Sequence, residues 1–538
     1  MNRAGSLCEA VDGRYFDIVV IGGGATGLGV AVDAAARGFR ALLLEAEDFA
    51  KGTSSRSTKL VHGGVRYLEQ GDIPLVLEAL HERGLLHRNA PHLVHNQSFV
   101  VPRYRWWEGP FFGAGLKFYD LLAGKLNLSP SRLLDRATTI QRIPNIEQDA
   151  LLGGVEYFDG QFDDARLAIT LARTAASLGA CLLNYCPVVA LEKDGGRITG
   201  VAFRDTETGS MHQVRARCVI NATGIFADSI RKLEDPEAVP TVQPSQGVHL
   251  VFDRSFLRGD SAIMVPHTDD GRVLFVIPWL GRVLVGTTDT AMEAPEIEPR
   301  ARREEIGFIL RNAARYLAHD PREEDILSIF AGQRPLVRRP GRDGAATKSV
   351  SRNHEIFVSP SGLVTIVGGK WTTYRKMAAD TLDKAIEVSG LAAAKSWTDS
   401  MELFGAAPCD SLPAGLEAYG SEAAELVTLM EAEPSLAAPI HPRLPYPMAC
   451  IAWAARQEMA RTLEDALARR TRCLLLDAAA TMEAAPRVAY LLAAETGRNE
   501  SWARHQIDSF SQIASGYLGR GNSLLSADSG WGKPAILG

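Results

Sequence analysis

The chain has 538 residues, 46% of them hydrophobic and 23% charged, a length that suggests about three domains. This balance excludes a disordered tail protein, a collagen-like repeat and a small disulfide scaffold. With 58 basic against 64 acidic residues the net charge is −6, so the basic excess of a nucleic-acid binder is missing and no nucleic-acid partner is expected.

The N-terminal stretch MNRAGSLCEAVDGRYFD places Glu9, Asp12 and Asp17 where a signal peptide needs an apolar core. No run of roughly 18 uncharged apolar residues follows, so no spanning helix is expected. The seven cysteines are scattered and none forms a CxxC pair. Reduced, buried thiols in a reducing, intracellular compartment are the expectation, with no metal site.

Tyr15–Ile21 (YFDIVVI) is a β-branched run ending directly on Gly22-Gly23-Gly24-Ala25-Thr26-Gly27. Leu28–Arg37 then reads as an Ala-rich helix closed by Gly38, and Arg40–Glu45 as a second strand. Such a strand–helix–strand unit is the context a dinucleotide fingerprint requires. Further strands are predicted at Val214–Asn221, Val273–Pro278, Val283–Gly286 and Leu363–Val367, with Gly281-Arg282 as a hairpin turn. Beyond Leu391 the texture becomes rich in Ala, Leu, Glu and Arg. Helical patterning appears at Met448–Arg469, Leu474–Ala484 and Ser501–Tyr517, the last capped by Asn499.

In the glycine turn, Gly22 permits the tight bend, Gly24 lets the backbone approach a pyrophosphate, and Gly27 allows close helix–strand packing. The helix N-terminus adds N–H groups and a positive dipole end. Glu45, at the end of the second strand, suits ribose hydroxyls and would repel a 2′-phosphate. Three more segments select FAD over a nicotinamide cofactor. The hydroxyl-rich Thr53-Ser54-Ser55-Arg56-Ser57-Thr58-Lys59-Leu60-Val61-His62-Gly63-Gly64 cannot be an ordinary helix, and glycine turns recur at Asn221–Gly224 and Gly368–Gly369. An extended flavin dinucleotide can use all of these, with the helix start after Lys370 aimed at the flavin pyrimidine. The fold class is therefore α/β, with a Rossmann-like FAD-binding domain (14–90, 155–236 and 347–390). An antiparallel-sheet substrate or cap domain (91–154 and 237–346) is inserted into it, and a helical C-terminal domain (395–538) follows.

At these residues the chain resembles the FAD-dependent, quinone-linked glycerol-3-phosphate dehydrogenases of the D-amino-acid-oxidase-like flavoprotein superfamily. The matching stretches are IGGGATG (21–27), TSSRSTKLVHGGVRYLE (53–69), DDARL (163–167), NATG (221–224), LFVIPW (274–279), VGTTDT (285–290), GQRPL (332–336) and GGKWTTYRK (368–376). Trp371 departs from the pattern, where Leu is commoner, and no D-x-D-x-D-G calcium loop is present. The resemblance implies oxidation of sn-glycerol 3-phosphate to dihydroxyacetone phosphate by hydride transfer to flavin N5. Electrons would pass to ubiquinone or menaquinone in the membrane. An oxygen-reducing glycerol-3-phosphate oxidase, or a flavin oxidoreductase of another small hydroxy or amino acid, is the alternative. The expected location is cytoplasmic, peripherally bound to the cytoplasmic face of the inner membrane; self-association into a homo-oligomer is left open.

The expected cofactor contacts are Gly22, Gly24, Thr26, Gly27, Glu45, Thr53, Ser54, Ser57, Lys59, Leu60, His62, Gly63, Val188, Ala222, Gly224, Gly369, Lys370 and Thr372. For chemistry, Arg334 and Arg352 are candidates for a bidentate phosphate clamp; either alone reads equally well as a surface ion-pair residue, and the resemblance favours the clamp. Arg66 and Tyr67 are placed at the substrate mouth. His62 and His249 compete as the base, and Lys370 is set to hold the flavin or assist the alkoxide. Asp289, Asp163 and Asp164 read as cap and turn carboxylates. Arg103–Leu126 (RYRWWEGPFFGAGLKFYDLLAGKL) combines aromatics with basic residues, as a membrane-resting surface or a core segment would, with helix expected only from Gly115 to Gly124.

Overall fold

In the computed structural model the described residues are 1–65, 68, 71–338, 353–407, 413 and 415–519. The run Tyr15–Ile21 is apolar on both faces because it lies inside a parallel sheet covered on both sides. Its neighbours are Met211–Asn221 and Ala41–Leu44; Val364–Val367 extends the sheet on one side and Cys181–Leu183 on the other, all parallel. Glu355–Val358 closes one edge, and Val188–Asp194 and Arg197–Arg204 form an antiparallel meander with Met211–Asn221. Ile18 and Val20 face the helices Ala25–Ala36, Asp164–Ser177 and Tyr374–Ser389. Val19 and Ile21 face the opposite side, where the N-terminal helix Arg3–Val11, not anticipated from sequence, packs.

The second sheet is built mainly from long antiparallel strands: Val94–Arg103 pairs with Gly153–Phe162, and Val242–Asp253 with Ile326–Val337. The cap boundary drawn after residue 154 is therefore corrected. The strand Gly153–Phe162 belongs wholly to the second sheet, and Leu60–Val61 of the hydroxyl-rich loop joins it as an edge. The predicted hairpin is present as Leu274–Trp279 and Arg282–Gly286. One face of this sheet packs against the helix Arg303–Ala314. The other, through Phe99, Tyr157, Trp279 and Phe330, packs against the C-terminal helices.

Those C-terminal helices differ from the expected pattern. The continuous helix expected over Met448–Arg469 stops at Gln457; Met459 takes a φ of +53°, and the chain resumes as a π-helical turn over Asp465–Arg470. Leu474–Ala484 likewise divides into Cys473–Leu476 and Ala478–Glu495, whereas the last helix, Glu500–Ala514, starts at Asn499 as expected. The break has an electrostatic cause. Glu458 turns inward to take a two-pronged pair from Arg166, at 2.8 and 2.9 Å. The π-helical turn brings Arg469 and Arg470 onto Asp48, each within 2.6 Å, and Arg469 also reaches Glu464 and Asp465. These guanidiniums are almost fully buried, and they hold the Asp48 carboxyl well below the usual carboxylate range against the opposing effect of burial. The C-terminal domain is thus anchored to the loop that follows the second strand. Of the cysteines, Cys181, Cys186, Cys218, Cys450 and Cys473 are buried free thiols; Cys8, contrary to expectation, is exposed, and Cys409 lies outside the described residues.

Asp48→Asn strands Arg470 without its carboxylate, which should cost about 3–5 kcal/mol and lower the urea midpoint accordingly. Arg504→Ala, which removes an exposed pair with Glu500, should leave the urea midpoint essentially unchanged. Equal effects would contradict the anchoring role.

Candidate active site

The first strand ends on Gly22, whose φ of +107° suits glycine alone; a Cβ there would lie 2.7 Å from the Ala222 carbonyl oxygen. Gly24 caps the next helix without a side chain, and the Ala25 amide donates to Ser54 Oγ at 2.9 Å. Against this turn lies a cavity of about 440 Å³ whose wall includes Gly22, Gly24, Thr26, Glu45, Thr53, Ser54, Val188, Ala222 and Gly224. Glu45 accepts N–H bonds from Gly23 and Glu47, yet burial pushes its carboxyl up to about 7.

A second cavity, of about 270 Å³, opens beside the first, and the two share Thr53, Pro335 and the segment Gly368–Trp371. Leu60, His62, His249, Arg334 and Thr372 line it, as do Arg56, Ser57, Thr58, Arg272, Asp159 and Asp289. Arg334 is oriented by the Thr288 carbonyl and Thr287 Oγ1, each at 3.2 Å, and lies 3.8 Å from Asp289. His249 is buried; its ring lies 4.9 Å from and nearly parallel to Phe330, and its Nε2 is 3.0 Å from Thr58 Oγ1. Burial, then Lys59 and Arg334, hold it far below the usual imidazole range, so it is neutral at physiological pH. Two joined cavities meeting at Gly369 and Lys370, one against a glycine turn and helix N-terminus, fit an extended dinucleotide such as FAD with its reactive ring toward the second cavity.

Most expected contacts come together here, with three exceptions. The Lys59 side chain turns away from both cavities to pair with Asp164 at 2.7 Å, a buried partner that outweighs a cofactor contact. Gly27 is a packing position, where a Cβ would lie 1.9 Å from the Gly22 carbonyl oxygen. Gly63 donates its N–H to Tyr119 Oη at 2.8 Å, and a Cβ on it would meet Leu80 and Tyr119 at 2.5 Å. Arg66, Tyr67 and Arg352 lie outside the described residues. Asp163 is the helix cap expected, but Asp164 is a fully buried ion partner rather than a turn residue. Asp289 belongs to the cavity wall. Arg56, Thr58 and Arg272 were missed as cavity residues; the first two lie in the quoted loop, where only their neighbours were singled out. Trp371 is held by its indole N–H to the Ser54 carbonyl at 2.9 Å, and so keeps its place at the junction.

Comparison with known proteins agrees with this geometry. The family described as FAD dependent oxidoreductase matches residues 17–375, and the C-terminal domain of alpha-glycerophosphate oxidase matches residues 364–503. A mitochondrial glycerol-3-phosphate dehydrogenase of Mus musculus is 40% identical, covering 98% of this chain and 77% of that protein. One of Saccharomyces cerevisiae is also 40% identical, over 74% of this chain and 70% of its own length. Among solved structures, the glycerol-3-phosphate dehydrogenase from Bacillus halodurans, complexed with FAD, superposes with a TM-score of 0.77 at 28% identity, covering 96% of this chain and 97% of that one. The L-alpha-glycerophosphate oxidase from Mycoplasma pneumoniae, at 17% identity and a TM-score of 0.54, covers 72% of this chain and 98% of that one and shares the fold. With one family spanning both sheets and a relative 40% identical over nearly the whole of this chain, the chain belongs to the FAD-dependent glycerol-3-phosphate dehydrogenases.

Proposed function

We propose that the chain oxidises the secondary alcohol of sn-glycerol 3-phosphate to dihydroxyacetone phosphate in the second cavity, and that the electrons leave to a membrane quinone, ubiquinone or menaquinone. The observation that carries this reading is the small cavity itself, which borders the dinucleotide cavity and is lined by Arg56, Arg272, Arg334 and Lys370. Bound FAD supplies a two-electron acceptor beside it. Arg334, oriented by Thr287 and Thr288, binds the phosphate, and Arg352 is its proposed partner in the clamp. Arg66 and Tyr67 are proposed at the mouth. His249 is the stronger candidate for the base. It lines the cavity wall, its ring is stacked on Phe330, and Thr58 Oγ1, 3.0 Å from Nε2, fixes its orientation. His62 faces the same cavity and is the competitor. Lys370, at the junction, is placed to stabilise negative charge on flavin or alkoxide.

A quinone acceptor dissolves in lipid, so the protein must reach the bilayer surface; among the described residues no helix is long and apolar enough to cross a membrane. The docking face we propose is the helix Glu108–Ala123, longer than expected, together with the residues just before it. Trp106 (78% exposed), Trp107, Phe111, Phe118 and Leu121 (73%) lie on the surface beside exposed Arg105, Lys117 and Lys125. Phe112 packs against the core and Tyr119 is buried, so neither contributes. This surface would rest on the cytoplasmic face of the inner membrane.

Arg334→Ala removes one charge-assisted phosphate bond, worth about 1.5–3 kcal/mol, and should raise the KM for glycerol 3-phosphate roughly ten- to a hundredfold while flavin content stays normal. A KM within about twofold of the parent would place the phosphate elsewhere.

Ribose hydroxyls select the ionised form of Glu45, whose carboxyl is raised to about 7 in the protein. Binding therefore releases a proton, and FAD affinity should fall about tenfold from pH 8 to pH 6. Glu45→Gln should flatten that dependence; an unchanged slope would remove Glu45 from the cofactor site.

Replacing Trp106, Trp107, Phe111 and Phe118 with Ser should abolish flotation with anionic liposomes while activity with a soluble dye acceptor persists. Retained flotation would rule this face out. Peroxide formed one-for-one with product in air would contradict the quinone acceptor.

A further inference from the structure

Beyond the Asp48 anchor, the C-terminal domain reaches the Ser55–Lys59 part of the same loop through Arg472. Arg472 follows the π-helical turn and is fully buried; it donates to the Ser55 carbonyl at 2.7 Å and to Asp164 Oδ1 at 3.1 Å, and Nη1 holds the Ala468 carbonyl at 2.7 Å. Asp164 Oδ2 in turn accepts from the Ser57 amide, the Ser57 hydroxyl and Lys59 Nζ, at 2.9, 2.7 and 2.7 Å. Lys59 also donates to the Ser55 carbonyl at 2.9 Å. Ser55, Ser57 and Lys59 are thus pinned on either side of Thr58, the residue that meets His249. A second contact chain runs through the rings. Arg472 and Lys59 lie 5.8 and 5.5 Å from the Trp279 ring, Lys59 lies 4.9 Å from Phe330, and Phe330 stacks on His249.

We propose that Arg472 is a positioning residue for the oxidation. From the C-terminal domain, through Asp164 and the Ser55–Lys59 loop, it fixes Thr58 against His249. The function of this helical domain is then to set the geometry of the reaction site, beyond covering one face of the second sheet. The proposal rests on the reading of the second cavity as the glycerol 3-phosphate site. The geometry calls for Arg at this position because the guanidinium fork serves one acceptor in the loop, one at the start of the helix Asp164–Ser177 and one on its own turn, whereas a lysine carries charge without the fork. Loss of the fork leaves Asp164 paired to Lys59, so the loop loosens while its charges remain compensated.

The test compares wild-type holoenzyme with Arg472→Lys, Thr58→Val, Thr58→Ser and the double variant Arg472→Lys/Thr58→Val. Two quantities are read: amide hydrogen exchange over 55–62, and the rate of anaerobic flavin reduction by saturating glycerol 3-phosphate. In Arg472→Lys the segment should exchange about tenfold faster, and flavin reduction should slow roughly ten- to a hundredfold at normal flavin loading, with substrate affinity little changed. Thr58→Val should slow reduction similarly, Thr58→Ser should restore it, and the double variant should be no slower than the slower single. Unchanged exchange, a reduction rate within about twofold of wild type, or fully multiplicative effects in the double variant would each overturn the proposal. Where Arg472→Lys does not fold, Ser57→Ala removes one of the bonds to Asp164 with no charge removed, and amide exchange over 55–62 decides, because Ser57 itself lines the cavity. A wild-type protein that glycerol 3-phosphate does not reduce would defeat the functional reading, and the exchange comparison would still judge the positioning claim.

Discussion

Burying an ion costs several kcal/mol unless partners replace its water, so a buried charge dictates the position of everything that must compensate it. In this chain Asp48, Asp164, Glu458 and Glu464 lie inside the protein with Arg166, Arg469, Arg470 and Arg472 around them. The network stitches three parts of the sequence: the loop after the second strand, the start of the helix Asp164–Ser177, and the C-terminal turn. Since Asp48, Asp164 and Glu458 each have their cations on another segment, and Glu464 also holds Lys51 of the loop, no segment can shift alone. The loop 48–59 therefore has one place, and the walls of both cavities are built on that loop.

The site itself uses opposite physics on its two sides. The dinucleotide cavity is made largely from backbone: a glycine turn with no room for a Cβ and the uncapped start of a helix, with the carboxylates Glu45 and Glu47 in its wall. The neighbouring cavity is made from side chains carried on the long antiparallel strands, where residues on one face of Val242–Asp253 and Ile326–Val337 deliver His249 and Arg334. A parallel sheet supplies loops at its strand ends, whereas an antiparallel sheet supplies a face. Their meeting at Gly368–Trp371 joins a cofactor groove to a charged substrate pocket in one chain.

What could be read from sequence follows from how local each determinant is. The glycine turn, the strand ending on it, the Asn499 and Asp163 caps and the hairpin at Gly281 depend on neighbours in sequence, and each is present in the fold. The helix expected over Met448–Arg469 fails because its interruption is set by Arg166 and Asp48, about 300 and 400 positions away in the chain. The roles of Lys59 and Asp164 in the fold are hidden for the same reason: their partners are each other, 105 positions apart, and Arg472, 308 positions from Asp164. Among the catalytic candidates, His62, His249, Arg334 and Lys370 converge on one cavity. The run Arg469-Arg470-Thr471-Arg472, inside an apolar helical texture, was the available signal for the buried network, since three arginines there need internal carboxylates.

The central claim is that the second cavity presents glycerol 3-phosphate to bound FAD. It is tested most directly by anaerobic titration of the yellow holoprotein with glycerol 3-phosphate, glycerol and small hydroxy acids. The account predicts stoichiometric bleaching of the flavin by glycerol 3-phosphate, with dihydroxyacetone phosphate as product, and no comparable reduction by the non-phosphorylated compounds. Flavin that stays oxidised with glycerol 3-phosphate, or that a non-phosphorylated alcohol reduces equally fast, would contradict it.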